Sequence, residues 1–495
     1  MSTDRNSRRE FLRKLACAAA CGGTAAMIPQ LRMIGTALAN MPTQALSGYR
    51  ALVCVYLAGG NDAWNMLVPY DNARFNVYAT SRSGVYDALT NSAGLGLVRP
   101  STPAQIAAQV VTDGGDASPS TNQYFLHPSL PELATLFRQQ KLAFGINVGT
   151  LVKPIVMADY ANPANRPPQL FSHADQENLW HQANTSAGST LGWGGGCGDR
   201  VQPSNSNQLL SSCISIAGAN RFEVGMNTVP YQMSSGGLSG LSGVCNPTPC
   251  KGVSTTSIRD NALNALLGDT YASDFSGEYG KVFQRGRDLS NLLSNGLAGT
   301  TLKTVFPANN TLASQLQMVA KMIKLSLAQN YAARQIYYVR FGNFDLHTEM
   351  MSGTYDHAVL LSEVSQALNA FWNAMGVSDV NAQSDVTVFT ASEFARTLNS
   401  NGLGSDHAWG SVQMALGGAV HGGKLYSNGG GPISGFPNQA LNAPNNFSRG
   451  QMIPGIGVEQ YAATLAQWLG VTSTTDLNAI FPNLPNFHSN NLGFV

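Results

Sequence analysis

Ala51-Leu52-Val53-Cys54-Val55-Tyr56-Leu57 is the stretch on which the fold turns. It carries no charge and does not alternate, so both of its faces must be covered. A strand inside a parallel sheet reads this way, because helices pack over both faces of such sheets. Ala58-Gly59-Gly60-Asn61-Asp62 ends the run. Further out, 142–148, 335–341 and Val386-Thr387-Val388-Phe389-Thr390 read as buried strands, and 214–217 as a short one. Helical periodicity predicts helices over 128–140, 175–182, about 258–293, 310–330, 355–375 and 458–469. Gly, Ser and Pro crowd 194–252, and 236–243 is nearly low-complexity, so this region reads as long loops or an insertion. No internal repeat is visible. Strands alternating with helices predict an α/β fold with a central, mostly parallel sheet and helices on both faces.

The start of the chain has a separate logic. Ser7-Arg8-Arg9-Glu10-Phe11-Leu12-Arg13-Lys14 puts an arginine pair before Phe-Leu and a second basic pair. A weakly apolar stretch follows to about Ile34, and Ala37-Leu38-Ala39 offers a cleavage site before Asn40. The arginine pair marks a twin-arginine signal over 1–39, with the mature chain at 40–495. The expected location is periplasmic or secreted, and the translocase of that route is an expected partner. A lipoprotein reading through Cys21 is weaker, because little apolar sequence precedes it. No later run is long and apolar enough to span a bilayer, so no stable membrane span is expected.

The whole chain carries +1. Arg5, Arg8, Arg9, Arg13, Lys14 and Arg32 against Asp4 and Glu10 make +4 of this, which leaves residues 40–495 near −3. No basic footprint for nucleic acid exists. Charged residues are 12% of the chain, and uncharged polar residues replace them, as suits an exported surface. Five cysteines follow residue 39. Cys54 lies in the apolar strand and reads as a buried thiol. Cys245 with Cys250, and Cys197 with Cys213, are the pairs an oxidising compartment would close, although sequence does not fix connectivity. The rival, a zinc cluster, lacks paired C-x-x-C spacing.

Polar clusters sit at strand ends or in loops, where ligands bind in open parallel sheets. They are Gly59-Gly60-Asn61-Asp62-Ala63-Trp64-Asn65, Gly342-Asn343-Phe344-Asp345-Leu346-His347, Ala391-Ser392-Glu393-Phe394-Ala395-Arg396-Thr397, and Asn401 to Asp406-His407. Carboxylates and imidazoles converging from separate strand ends are the donors a divalent ion needs. Each piece also has a structural reading. Asp62 can cap a helix, Asp345 and His347 can be polar loop residues, and Asp406-His407 can be a hydrogen-bonded pair. In Phe171-Ser172-His173-Ala174-Asp175, Ser172 would open a helix, where the positive helix end favours an alkoxide. Ser-x-x-Asp is equally the pattern of an N-cap. His181 and His421 read as surface or hydrogen-bonded residues.

Taken in order, these motifs resemble a large family of twin-arginine-exported bacterial proteins, domain of unknown function family 1501. The matching pieces are Leu57 to Asn65 with Val68-Pro69, His127-Pro128-Ser129-Leu130, Ser172-His173, Gly192-Trp193, Phe344 to His347, Ser392 to Thr397, Asp406-His407 and Gln467-Trp468-Leu469-Gly470. They span nearly the whole mature chain. The family is grouped with the alkaline phosphatase and sulfatase superfamily. The resemblance therefore implies an alkaline phosphatase-like α/β domain, here with a loop-rich and helical insertion at about 194–330. It also implies metal ligands at Asp62, Asp345, His347, Glu393 and His407, and a nucleophile at Ser172. On that reading Arg396 or Asn65 grips the non-reacting oxygens of a small anionic ester. One or two divalent ions (zinc, manganese or calcium) would activate it. Two departures stand out. Asp345 and His347 are closer in sequence than the superfamily spacing, and Phe394 follows Glu393 where the enzymes commonly carry a histidine, so one of two metal sites is expected to be incomplete. The expected function is an exported metal-dependent hydrolase of phosphate or sulfate esters. The alternative is a non-catalytic binding or surface-assembly protein that keeps the fold.

Overall fold

The computed structural model describes residues 46–87, 93–185, 190–238, 254–269, 274–353, 356–427 and 436–495. The signal at 1–39 and the Cys245–Cys250 loop lie outside them. The chain divides into two compact units, one of 42–242, 246–249 and 289–495, the other of 1–41, 243–245 and 250–288. In the smaller unit, Ser254 caps the helix Thr255–Leu267, and Arg287 donates to Asn264 at 2.6 Å and Asp260 at 3.0 Å. The sequence predicts one helix over 258–293. Two are found, Thr255–Leu267 and Asp274–Gly299, because the first runs out at Gly268.

The larger unit is built on a nine-stranded sheet. Its strands are β1 (Arg50–Leu57), β2 (Leu142–Gly149), β3 (Cys213–Ser215), β4 (Tyr231–Gln232), β5 (Arg334–Phe341), β6 (Val386–Ala391), β7 (Ser411–Gly417), β8 (Leu425–Tyr426) and β9 (Ile456–Gly457). The order is β8-β2-β7-β6-β1-β5-β3-β4, with β9 also on β2. All pairs are parallel except those of β7, which runs antiparallel to both β2 and β6. The protein is thus α/β with a mostly parallel mixed sheet. The short apolar strand expected over 214–217 begins and ends earlier, at Cys213–Ser215.

β1 is covered on both sides, as its sequence requires. Ala51, Val53, Val55 and Leu57 join one core with Leu133 and Phe137, with Leu316, Val319 and Ile323, and with Leu361, Val364 and Leu368. These come from the helices Pro131–Arg138, Thr311–Gln329 and His357–Ala374. Leu52, Cys54 and Tyr56 face a second core with Trp193, Cys197, Ala462, Leu465 and Leu469, from the helices Trp193–Val201 and Val458–Leu469. The two-residue alternation of a strand separates the two sets.

Two expectations for 194–252 change. Residues Trp193–Val201 form a helix despite three consecutive glycines. The glycines serve packing: a Cβ on Gly195 would come within 2.1 Å of the Val224 carbonyl carbon. Cys197 and Cys213 are not bonded to each other. With Cys54 they are buried free thiols, and burial pushes Cys197 up to about 12. Cys213 donates instead to the Gly194 carbonyl at 3.6 Å and packs under that helix. Among the described residues no helix is long and apolar enough to cross a membrane.

Candidate metal centre

β6, β1 and β5 lie side by side and run in the same direction, so the loops after Ala391, Leu57 and Phe341 emerge together. β7 returns antiparallel, so the segment 392–410 leaves and re-enters the sheet at this same edge. It is zipped by main-chain bonds from Ala408 to Ala395 (2.8 Å) and from Thr397 to Asp406 (2.9 Å), and Arg396 bridges His407. The first loop is pressed against the second. A Cβ on Gly59, which has φ +116°, would lie 2.4 Å from the Asp345 nitrogen. Arg396 ties the loops together. Fully buried, it donates to the carbonyls of Gly60 (2.8 Å), Ser405 (3.1 Å), Phe344 (3.2 Å) and Gly59, and to the Asp345 carboxylate.

His173, Asp345 and His407 converge on one point, and His347 lies against the last two. His407 Nε2 lies 3.1 Å from His173 Nε2 and 2.9 Å from His347 Nε2. Asp345 Oδ1 lies 3.1 Å from His347 Nε2 and 3.4 Å from each of the other two. The opposite ring nitrogens are all anchored. His407 Nδ1 meets the Phe171 carbonyl at 2.7 Å, and a carbonyl only accepts, so this nitrogen carries the proton. Phe171 takes a left-handed conformation, φ +74°. His173 Nδ1 faces Glu393 at 3.0 Å and His347 Nδ1 faces Asp406 at 3.0 Å.

Both of those acids are held ionised. Burial works against the Glu393 charge, yet the bonds from His173 and the Gly59 amide outweigh it and hold the carboxyl below its usual range. Asp406 is likewise lowered, since Asn401, His347 and Arg449 overcome its desolvation. Both rings therefore donate from Nδ1, and the neutral tautomers turn the Nε2 lone pairs inward. Three lone pairs and a carboxylate oxygen facing one another repel unless positive charge sits among them. Asp345 is itself held low, its partial burial overcome by Arg396 and the nearby imidazoles. The Glu393 hydrogen bond raises the pKa of His173, whereas burial lowers that of His407, so of these two rings His173 takes up a proton first. That proton relieves only one of the two imidazole contacts. A divalent ion among His173, Asp345 and His407 relieves every contact between those three. Tetrahedral ligands about 2.0–2.2 Å from a common ion lie roughly 3.3–3.6 Å apart, so the 3.4 Å contacts of Asp345 with His173 and His407 fit one ion, whereas the contacts of 2.9 and 3.1 Å are tighter. His173, Asp345 and His407 alone form a group whose ligand atoms lie within 4.8 Å of one another.

Of the residues expected as ligands, Asp345, His347 and His407 meet here, while Glu393 stands behind His173 as its hydrogen-bond acceptor. Asp62 is turned elsewhere, into a fully buried ion pair with Arg82. Asn65 accepts from Tyr78 (2.7 Å) and Arg82 (2.7 Å) and donates to the Leu95 carbonyl (2.9 Å). The Ser172 hydroxyl donates to Asp175 at 2.6 Å, inside its own first helical turn, and does not cap the main chain. His181 is buried between Tyr56 and Tyr338, where burial lowers its pKa to about 3. Sequence reasoning missed His173 as a candidate ligand, although the Ser172-His173 motif pointed within one residue of it.

No curated protein matches the chain. The stretch that carries Asp345, His347, Glu393, Arg396, Asp406 and His407 is nonetheless recognisable: residues 314–431 match the model of a family described as a protein of unknown function, DUF1501.

Proposed function

We propose that the chain is a metal-dependent hydrolase of phosphate or sulfate esters, exported folded by the twin-arginine route and built on an alkaline phosphatase-like domain. The observation that carries this reading is the convergence of His173 Nε2, His407 Nε2 and Asp345 Oδ1, with His347 Nε2 against the last two. The mostly parallel sheet supports it, as does the position of the cluster where adjacent parallel strands end. A donor set rich in imidazole suits zinc or manganese better than calcium, which takes oxygen ligands. One ion is favoured over two, because Asp62 is paired with Arg82 and Glu393 with His173.

A divalent ion in the cluster supplies Lewis acidity, which polarises an ester oxygen and lowers the pKa of water. The protein's part is positional. Glu393, Asp406 and the Phe171 carbonyl fix the three tautomers, and Arg396 fixes the loop that bears Asp345. Asp345 and the three imidazoles are partly open to solvent, which leaves room for an ester. In the net reaction water oxygen bonds to phosphorus or sulfur and the bond to the ester oxygen breaks. One water proton ends on the leaving alcohol. Arg396 and Asn65 take no part in gripping substrate, since their polar atoms are committed inside the protein. That commitment favours a second reading, a metal-binding protein without turnover.

Metal analysis with an aryl ester assay tests both. Purified protein should hold close to one equivalent of zinc or manganese. His173→Ala and His407→Ala should each lose it while keeping the wild-type circular dichroism spectrum. Wild-type protein that takes up neither metal overturns the proposal, and metal-loaded protein inert to aryl phosphates and sulfates leaves the second reading.

A further inference from the structure

Beside the cluster lies an open groove of about 910 Å³, within the range of small-ligand sites and far larger than a bare phosphate or sulfate needs. Tyr160, Arg166, Pro167, Pro168, Phe171 and Ser172 form much of its wall. The groove touches the metal cluster by construction. Phe171 gives the carbonyl that orients His407, and Ser172 immediately precedes His173.

The wall is preformed. Gln176, on the helix His173–Gln182, donates to the carbonyls of Pro168 (3.0 Å) and Gln169 (3.1 Å) and accepts from Thr150 at 2.6 Å. The prolines fix their own φ angles. Arg166 stacks its guanidinium over the Tyr160 ring, 4.5 Å from the centroid, and donates to the Tyr160 carbonyl at 3.2 Å. Among the described residues lining the groove, Arg166 is the one charged side chain, and the rest are apolar or neutral.

We propose that this groove is the leaving-group subsite, and that the preferred substrate is an aryl ester whose ring bears a second anionic group. The inference rests on the hydrolase reading of the neighbouring cluster. The ring lies against Pro167 and Pro168, since the faces of Tyr160 are taken by Arg166 and Phe447. The second anion meets Arg166, whose planar fork suits a carboxylate, sulfonate or phosphate. A lining with a cation and no carboxylate selects for such a group and against a cationic one.

The test uses binding, so that it does not depend on turnover. Phenylphosphonate and 4-carboxyphenylphosphonate are titrated calorimetrically into zinc-loaded wild type, Arg166→Ala and Arg166→Lys. Wild type should bind the carboxylated probe about tenfold more tightly, as a charge-assisted hydrogen bond allows. Arg166→Ala should erase the preference, and Arg166→Lys should restore part of it. Metal content should stay unchanged in both, and any loss of phenylphosphonate affinity should be smaller than the loss for the carboxylated probe. Equal affinity of wild type for the two probes, or a preference that survives in Arg166→Ala, overturns the subsite, as does failure of both probes to bind with or without zinc. Protein that takes up no zinc yet still prefers the carboxylated probe through Arg166 keeps the groove and overturns only the hydrolase reading.

Discussion

Arg396 directs its guanidinium at four main-chain carbonyls and one carboxylate, all from the loops of the candidate site. Arg396→Ala would leave those acceptors unpaired in a closed interior and should cost about 3–5 kcal/mol, read as a shift in the urea midpoint. Arg396→Lys should recover little, since an ammonium cannot reproduce the fork. Glu223 offers a pH-dependent counterpart. Burial raises its pKa to about 8. Between its unfolded value and pH 8 the unfolded chain has lost the proton and the folded chain still holds it, so stability falls as pH rises. Glu223→Gln should therefore stabilise the protein by about 2–3 kcal/mol near pH 7 and by nothing near pH 4. A gain independent of pH would refute that origin. Ser172, expected as a nucleophile, has its hydroxyl on Asp175. Ser172→Ala should keep metal, keep turnover within about threefold and cost under about 1 kcal/mol. Loss of turnover with metal retained, in both Ser172→Ala and Ser172→Asn, would restore the nucleophile. At this scale the sequence was informative where a proposed ligand followed a strand closely, as Asp345 and His347 do. It was silent about Arg82, which neutralises Asp62 from twenty residues further along the chain. It also hid His173 behind a serine that reads as a helix cap.

Apolar runs were the most legible elements, because burial on both faces leaves few polar residues to blur them. The run 51–57 became Arg50–Leu57, 386–390 became Val386–Ala391, and the helix over 458–469 has those same ends. β7 was missed. Ser411-Val412-Gln413-Met414-Ala415-Leu416-Gly417 mixes polar and apolar residues, yet all seven are buried, and Gln413 accepts from Thr390 at 2.8 Å. The helix Trp193–Val201 was missed because its glycines read as a breaker, when the cause is contact with 222–225. The turn after β1 makes the same point testable. Gly59 combines a left-handed φ with a main-chain neighbour closer than any Cβ tolerates. Gly59→Ala should push back the Asp345 loop, lower metal occupancy and destabilise the protein by more than about 1 kcal/mol. Wild-type metal content in a folded Gly59→Ala protein would show that the two loops need not touch.

For the whole molecule, the twin-arginine reading of 1–39 gives a direct experiment. Arg8→Lys with Arg9→Lys should leave precursor in the cytoplasm, and undiminished periplasmic yield would sink it. The proposed ligands have a consequence of another kind. They come from positions 173, 345, 347 and 407, so no local segment owns the site, and His407 reaches it only through the reversal of β7 between β6 and β2. Contacts this distant in sequence close late, after the loop entropy between them has been overcome. During refolding, metal capture should therefore follow the recovery of secondary structure as a separate, slower phase, and an ion bound at full strength would report that β7 has found its neighbours.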